Sequence, residues 1–165
     1  MLWLKLKNRQ AIGNQMTMLP IRCDIHVNIP EIPLDFEILV NDVSIYKIST
    51  TKTSYNFVYD IDDSIINEHQ LKFIMSGKTD DHAVEKDGVI VDSANINITN
   101  ISFNEINLSI LPGIMRSIAS YTHDFNGYGD TVTEEFYGEK GANGVATLNF
   151  KTPLYEWLLI KHIGK

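Results

Sequence analysis

At 165 residues the chain has one domain's length, and its 44% apolar and 21% charged residues are ordinary globular usage, which argues against disorder. A net charge of -7 opposes a phosphate backbone, so nucleic acid is not an expected partner. Cys23 is the single cysteine, which excludes an intrachain disulfide and a zinc–thiolate cluster, and no apolar run is long enough to span a bilayer.

The chain begins MLWLKLKNRQ, whose charges interrupt the leucines, so it lacks the continuous apolar stretch of a secretory leader. Synthesis in a cytoplasm is expected, and the sequons at Asn97, Asn100 and Asn107 read as polar residues on a strand face. Leu2, Leu4 and Leu6 alternate with Trp3, Lys5 and Lys7, the period of a strand. Residues 1–20 are therefore expected to form an N-terminal arm or edge strand, and 21–165 a single domain.

Ile21, Cys23, Ile25, Val27 and Ile29 alternate with polar partners, which predicts a half-buried antiparallel strand. Pro30 and Pro33 bracket a turn. Residues 34–40 and 43–48 predict a hairpin across Asn41 and Asp42, residue types that tolerate left-handed backbone. Further strands are expected around Tyr55–Ile61, Leu71–Met75 and Val89–Val91. In the run from Ile96 to Phe103 the apolar phase slips at Asn100, which predicts a β-bulge.

Residues 110–120 fit either a crossing loop or one helical turn. Residues 121–125 read as a strand, 126–144 as a long Gly-rich acidic loop with a short strand at Phe136–Tyr137, and 145–150 as a strand. Thr152 is expected to cap a C-terminal helix with Pro153 at its first position and Leu154, Trp157 and Leu158 as its apolar stripe. Short strands without βαβ alternation predict an all-β protein: an antiparallel β-sandwich, jelly-roll-like, with a short C-terminal helix.

Few residues suggest chemistry. Gly77-Lys78-Thr79 imitates the end of a phosphate loop, but Lys72 stands where the earlier glycine belongs. The spacing from Asp124 to Glu135 imitates an EF-hand, but Tyr128 occupies a ligand position and the flanks do not read as helices. Asp80, Asp81, Asp87 and Asp92 surround one loop and are the candidate metal ligands, for calcium; the alternative is a charged rim that protects a sheet edge. No other cofactor is expected. His69, His82 and His123 are isolated in sequence, and Glu134 and Glu135 would need a cleft to act as acid or base. Among the aromatics, Phe125 and Phe136 read as core, and Tyr128, Tyr137 and Trp3 as candidate ligand or interface residues.

The runs LDFEILVND (34–42), YNFVYD (55–60), HQLKF (69–73) and VDSANINITNI (91–101) resemble small calcium-dependent carbohydrate-binding modules. That resemblance implies a jelly-roll sandwich with sugar and calcium at its loop ends. The runs SGKTDDH (76–82), YTHDFNG (121–127) and TPLYEWLL (152–159) look like segments of small virion proteins of T4-like tailed phages. This second resemblance implies a non-enzymatic structural protein of a capsid, tail or baseplate, located in the virion, with other virion proteins and further copies of itself as partners. A host-surface glycan is the alternative partner; no membrane is expected.

Overall fold

The computed structural model describes residues 17–125 and 128–163, without the side chains at 125, 128, 129, 162 and 163. One antiparallel sheet contains β1 (Met18–Val27), β4 (Ser54–Asp62), β8 (Ile96–Phe103), β9 (Ile106–Asn107) and β12 (Glu139–Lys140). Its order is β12-β8-β1-β4, with β9 beside β8. A second contains β2 (Asp35–Val40), β3 (Val43–Ser49), β5 (Asn67–Ser76), β10 (Ala119–Phe125), β11 (Tyr128–Glu135) and β13 (Gly144–Thr152), in the order β11-β10-β13-β5-β2-β3. A separate two-stranded ribbon is made by β6 (Ala83–Lys86) and β7 (Val89–Ser93), and the described residues also include two α-helices, α1 (Pro112–Ile118) and α2 (Leu154–Ile163).

Strand alternation puts the apolar residues between the sheets. On β1, Leu19, Ile21, Cys23, Ile25 and Val27 are buried while Arg22 and His26 face solvent. On β5, Leu71, Phe73 and Met75 play the same part from the other side. Phe103 of β8 and Phe150 of β13 bring their rings to 4.6 Å across the gap, so the two sheets share one core. The architecture is the expected sandwich, and the chain passes from sheet to sheet after β1, β3 and β4, through the β6–β7 ribbon between β5 and β8, and again after β9, β11 and β12.

Two local expectations hold. Asn41 and Asp42 take φ of 51° and 63° in the tight turn between β2 and β3. Opposite Cys23, the β1–β8 register skips from Ser102 to Thr99, and Asn100 sits there at φ 50°, the bulge that the phase slip predicts.

Four expectations change. Met18, Leu19 and Pro20 belong to β1, so the domain starts earlier than residue 21; the alternating leucines and Trp3 lie outside the described residues. Residues 110–120 take the helical alternative and extend it beyond one turn, as α1, begun by Pro112. Within the segment expected as a long loop, residues 128–144 are not one: β11 pairs antiparallel with β10, β12 follows, and Phe136 and Tyr137 lie between β11 and β12 instead of forming a strand. The helix cap comes from elsewhere in the chain. Buried Asp63 accepts the Leu154 N–H at 2.7 Å, while Thr152 turns its hydroxyl to the Ile65 carbonyl at 2.6 Å. A cap from 91 residues away is invisible to local sequence reading.

Gly138 joins the two sheets at the β11–β12 corner. Its φ is 115°, and a Cβ there would meet the Ile98 carbonyl oxygen at 2.4 Å. The close approach lets the Gly138 carbonyl accept from Ile98 N–H at 2.8 Å and sets Lys140 beside Ile96, inside the sandwich.

Candidate functional site

Two regions depart from ordinary sandwich chemistry. The first is the β6–β7 hairpin, which pairs with neither large sheet. Its base is tied down by side chains of the body. Asn28 donates from Nδ2 to the Ser93 carbonyl at 2.9 Å and to Asp92 Oδ1 at 3.2 Å, and accepts Asn95 N–H at 2.8 Å. Asn143 and Lys78 exchange a bond in each direction, at 2.9 and 2.8 Å. His82 accepts from Thr79 N–H at 3.1 Å and offers its carbonyl to Ala94 N–H at 3.1 Å.

Beyond that base the ribbon buries none of its residues. Val84, Val89, Ile90 and Val91 are 39%, 62%, 62% and 56% exposed. An isolated two-stranded hairpin has no core of its own, so branched aliphatic side chains here gain nothing from folding alone. The tip is built to hold its shape: Asp87 and Gly88 take φ of 53° and 76° between Lys86 and Val89, a two-residue turn suited to the twist of a hairpin.

The four candidate calcium ligands all fall on this arm, but the fold spreads them along it. Asp80 and Asp81 lie in the 3-10 turn Asp80–His82 at the base, Asp87 is at the tip, and Asp92 faces Asn28. Among the described residues, no group of three or more His, Cys, Asp or Glu side chains is placed to hold a metal ion. One strongly acidic arm results, with Asp80, Asp81, Glu85, Asp87 and Asp92 against Lys86.

The second region is a cleft of about 770 Å3 where β10, β11 and the β11–β12 corner meet, lined by Tyr121, His123, Glu134, Glu135, Tyr137 and Glu139. Antiparallel pairing sets Tyr121 opposite Glu134, and His123 Nε2 reaches Glu134 Oε1 at 2.9 Å. His123 is buried and packs its ring at a tilt against that of Tyr121, with ring centroids 4.6 Å apart. Tyr121 donates its hydroxyl to the Ala142 carbonyl; burial and then the carboxylates of Glu134 and Asp124 push its pKa up to about 12, so it stays a neutral donor. Glu135 pairs with Arg116 Nε at 3.1 Å, while Glu134 and Glu139 keep carboxylate surface open to solvent. Tyr137, expected as a ligand or interface residue, is 60% exposed at this cleft. Phe136 is core, as expected; Tyr128 opens β11, and its side chain, like that of Phe125, lies outside the description.

Beneath the aromatic floor sits Lys140, fully buried, with its Nζ 4.1 Å from the Tyr121 ring centroid and 6.0 Å from that of Phe136. Among the described residues this ammonium has no hydrogen-bond partner. Burial pulls its pKa down to about 7, and the aromatic faces return only about 2 kcal/mol to the charged form. Sequence reasoning missed this residue because reading 126–144 as a loop removes the strand that turns Lys140 inward. The alternation of Glu139, Lys140 and Gly141 after a turn glycine was the available signal.

No protein-family model matches the chain, and no curated protein does either. No described helix is long and apolar enough to cross a membrane.

Proposed function

We propose that this protein is a non-enzymatic structural and interaction module of a tailed-phage virion, which joins its neighbours through the β6–β7 arm. The observation that carries the proposal is the arm's construction. Its base is held by Asn28, Asn143 and His82, its tip by the Asp87–Gly88 turn, and its valines and isoleucine face solvent. Such a projection is pre-organised, so docking it costs little conformational entropy, and covering its aliphatic side chains returns about 25 cal/mol per Å2. The virion setting comes from the resemblance of residues 76–82, 121–127 and 152–159 to small phage proteins. Fractionation of assembled particles tests it: the protein is expected at fixed copy number in purified virions, and recovery only in the soluble fraction would contradict the proposal.

A second reading is favoured by Tyr137. An exposed aromatic face can stack a sugar ring while the open carboxylates of Glu134 and Glu139 beside it accept hydrogen bonds from its hydroxyls. The cleft would then grip a host-surface glycan. Calorimetry against a glycan panel, with and without a calcium chelator, decides this: heat lost in Tyr137→Ala supports it, and no heat with any glycan removes it.

A further inference from the structure

The long free edges of the two large sheets are β4, β3 and β11. Bulges, lysines and prolines are the usual devices that keep such an edge from pairing. β4 is the least protected of the three. Its pairing with β1 runs nine positions without a shift, whereas the β2–β3 and β10–β11 pairings each slip once, and β4 holds no lysine, arginine or proline. Three backbone bonds fix its phase. Pro20 gives its carbonyl to Asn104 N–H on the β8 side, while Thr17 gives its carbonyl to Asp63 N–H and Val27 N–H donates to Thr53. The odd-numbered residues of β1 therefore bond Tyr55, Phe57, Tyr59 and Ile61, and the backbone groups of Asn56, Val58 and Asp60 point away from β1 to no described strand.

The side chains along this edge are also incompletely covered. On the outer face Val58 is 59% exposed, in line with Asp60 and Asp62, and neither acid forms an ion pair with a described lysine or arginine. On the inner face, the Phe57 ring meets that of Tyr46 on β3 edge-on at 5.7 Å, which sets the two sheet edges side by side. Along that seam Tyr46, Ile48 and Tyr55 are only partly buried and Tyr59 is exposed.

We propose that residues 2–7 of the same chain add to β4 as a parallel strand, with Leu2, Leu4 and Leu6 over the seam and Trp3, Lys5 and Lys7 beside Val58, Asp60 and Asp62. This pairing is independent of the role proposed for the β6–β7 arm. Alternation, charge and position select the occupant. The segment alternates leucine with Trp3, Lys5 and Lys7, so one face suits an apolar seam and the other an aliphatic and acidic row. Residues 1–16 carry Lys5, Lys7 and Arg9 and no acid, within a chain of net charge -7. Thr17 is held at the Asp62 end of β4 by Asp63 N–H at 2.8 Å. Residues 8–16 reach about 30 Å when extended, and only about 10 Å separates strands two places apart. A strand that ends at Lys7 near that corner runs in the direction of β4. So short a tether gives an effective concentration on the order of millimolar, which puts the chain's own segment ahead of a second copy.

Amide exchange of the full chain, followed residue by residue by NMR, tests this. Phe57 and Tyr59, which bond β1, report whether the domain is folded, and Val58 and Asp60 report the outer edge. In the wild type, Val58 and Asp60 are expected to exchange within about tenfold of Phe57 and Tyr59, at every protein concentration. Leu4→Asp is expected to speed Val58 and Asp60 by about tenfold or more while Phe57 and Tyr59 stay protected. Lys5→Glu is expected to speed the same two amides less, and adding Asp60→Lys to restore them. Fast exchange of Val58 and Asp60 in the wild type overturns the proposal, as does protection that Leu4→Asp leaves unchanged. Protection that grows with protein concentration overturns it too, because the strand would then come from a second copy.

Discussion

The arm and the cleft place polar and apolar groups in opposite ways. At β6–β7, aliphatic side chains stand in water while amide side chains lock the base. At the β10–β11–β12 corner an ammonium and an imidazole are buried under aromatic rings while carboxylates face out. The first arrangement forgoes stability that a partner can restore by covering the apolar surface. The second costs stability inside the folded chain whether or not a partner is present. The difference teaches how to separate interaction from folding here: changes at the arm should move association and leave the fold alone, and changes at the corner should move the fold.

The largest effect is expected at Lys140. Its pKa falls from the ordinary lysine value of 10.5 to about 7 on folding, so between those values the unfolded chain binds more protons and stability rises with pH. Below about pH 7 the amine is charged in both states and the full burial penalty applies. Cys23 and Tyr121 act in the opposite sense. Burial raises both to about 12, so their stability contribution is lost as pH climbs beyond their unfolded values of 9.0 and 10.0. The rise from Lys140 is therefore clearest between pH 7 and 9. Lys140→Met is expected to stabilise the protein by about 3–5 kcal/mol at pH 7 and to flatten that rise, read by urea denaturation across pH. A destabilised Lys140→Met would mean that the ammonium holds the corner together.

Next in size is Gly138→Ala. A Cβ forced against the Ile98 carbonyl at a φ of 115° should cost about 2–4 kcal/mol and loosen the β12–β8 pairing, visible as a lowered Tm. Asn28→Ala comes third. It removes the three bonds at the arm's base and should cost about 1–2 kcal/mol, with faster amide exchange in β6 and β7 and little change elsewhere. The smallest effect on stability is expected from Ile90→Asp, within about 0.5 kcal/mol by the same denaturation, because the residue is 62% exposed. A large loss there would show that the arm packs on its own body.

Strands with one buried face were legible in the sequence, because period-two alternation is a local signal: β1 and the bulge at Asn100 follow from it, and the β2–β3 turn follows from the residue types Asn41 and Asp42. What escaped was set at long range. Tyr128–Glu135 pairs with β10, yet its glycine, threonines and acids give no apolar rhythm. The buried Lys140 and the Asp63 cap depend on partners far away in the chain. Asp80, Asp81, Asp87 and Asp92 looked like a cluster because they are close in sequence, and a hairpin that extends between its base and its tip separates them. Exposure of Val89–Val91 was likewise hidden, since a short aliphatic strand reads as core until its lack of a neighbour is seen.

Amide hydrogen exchange over Ala83–Ser93 addresses the arm most directly, compared between dilute protein and protein in purified particles. The account predicts marked protection of the ribbon, centred on Val89–Val91, in the particle-bound state alone. Equal exchange in both states would contradict the assignment of the arm as the assembly element.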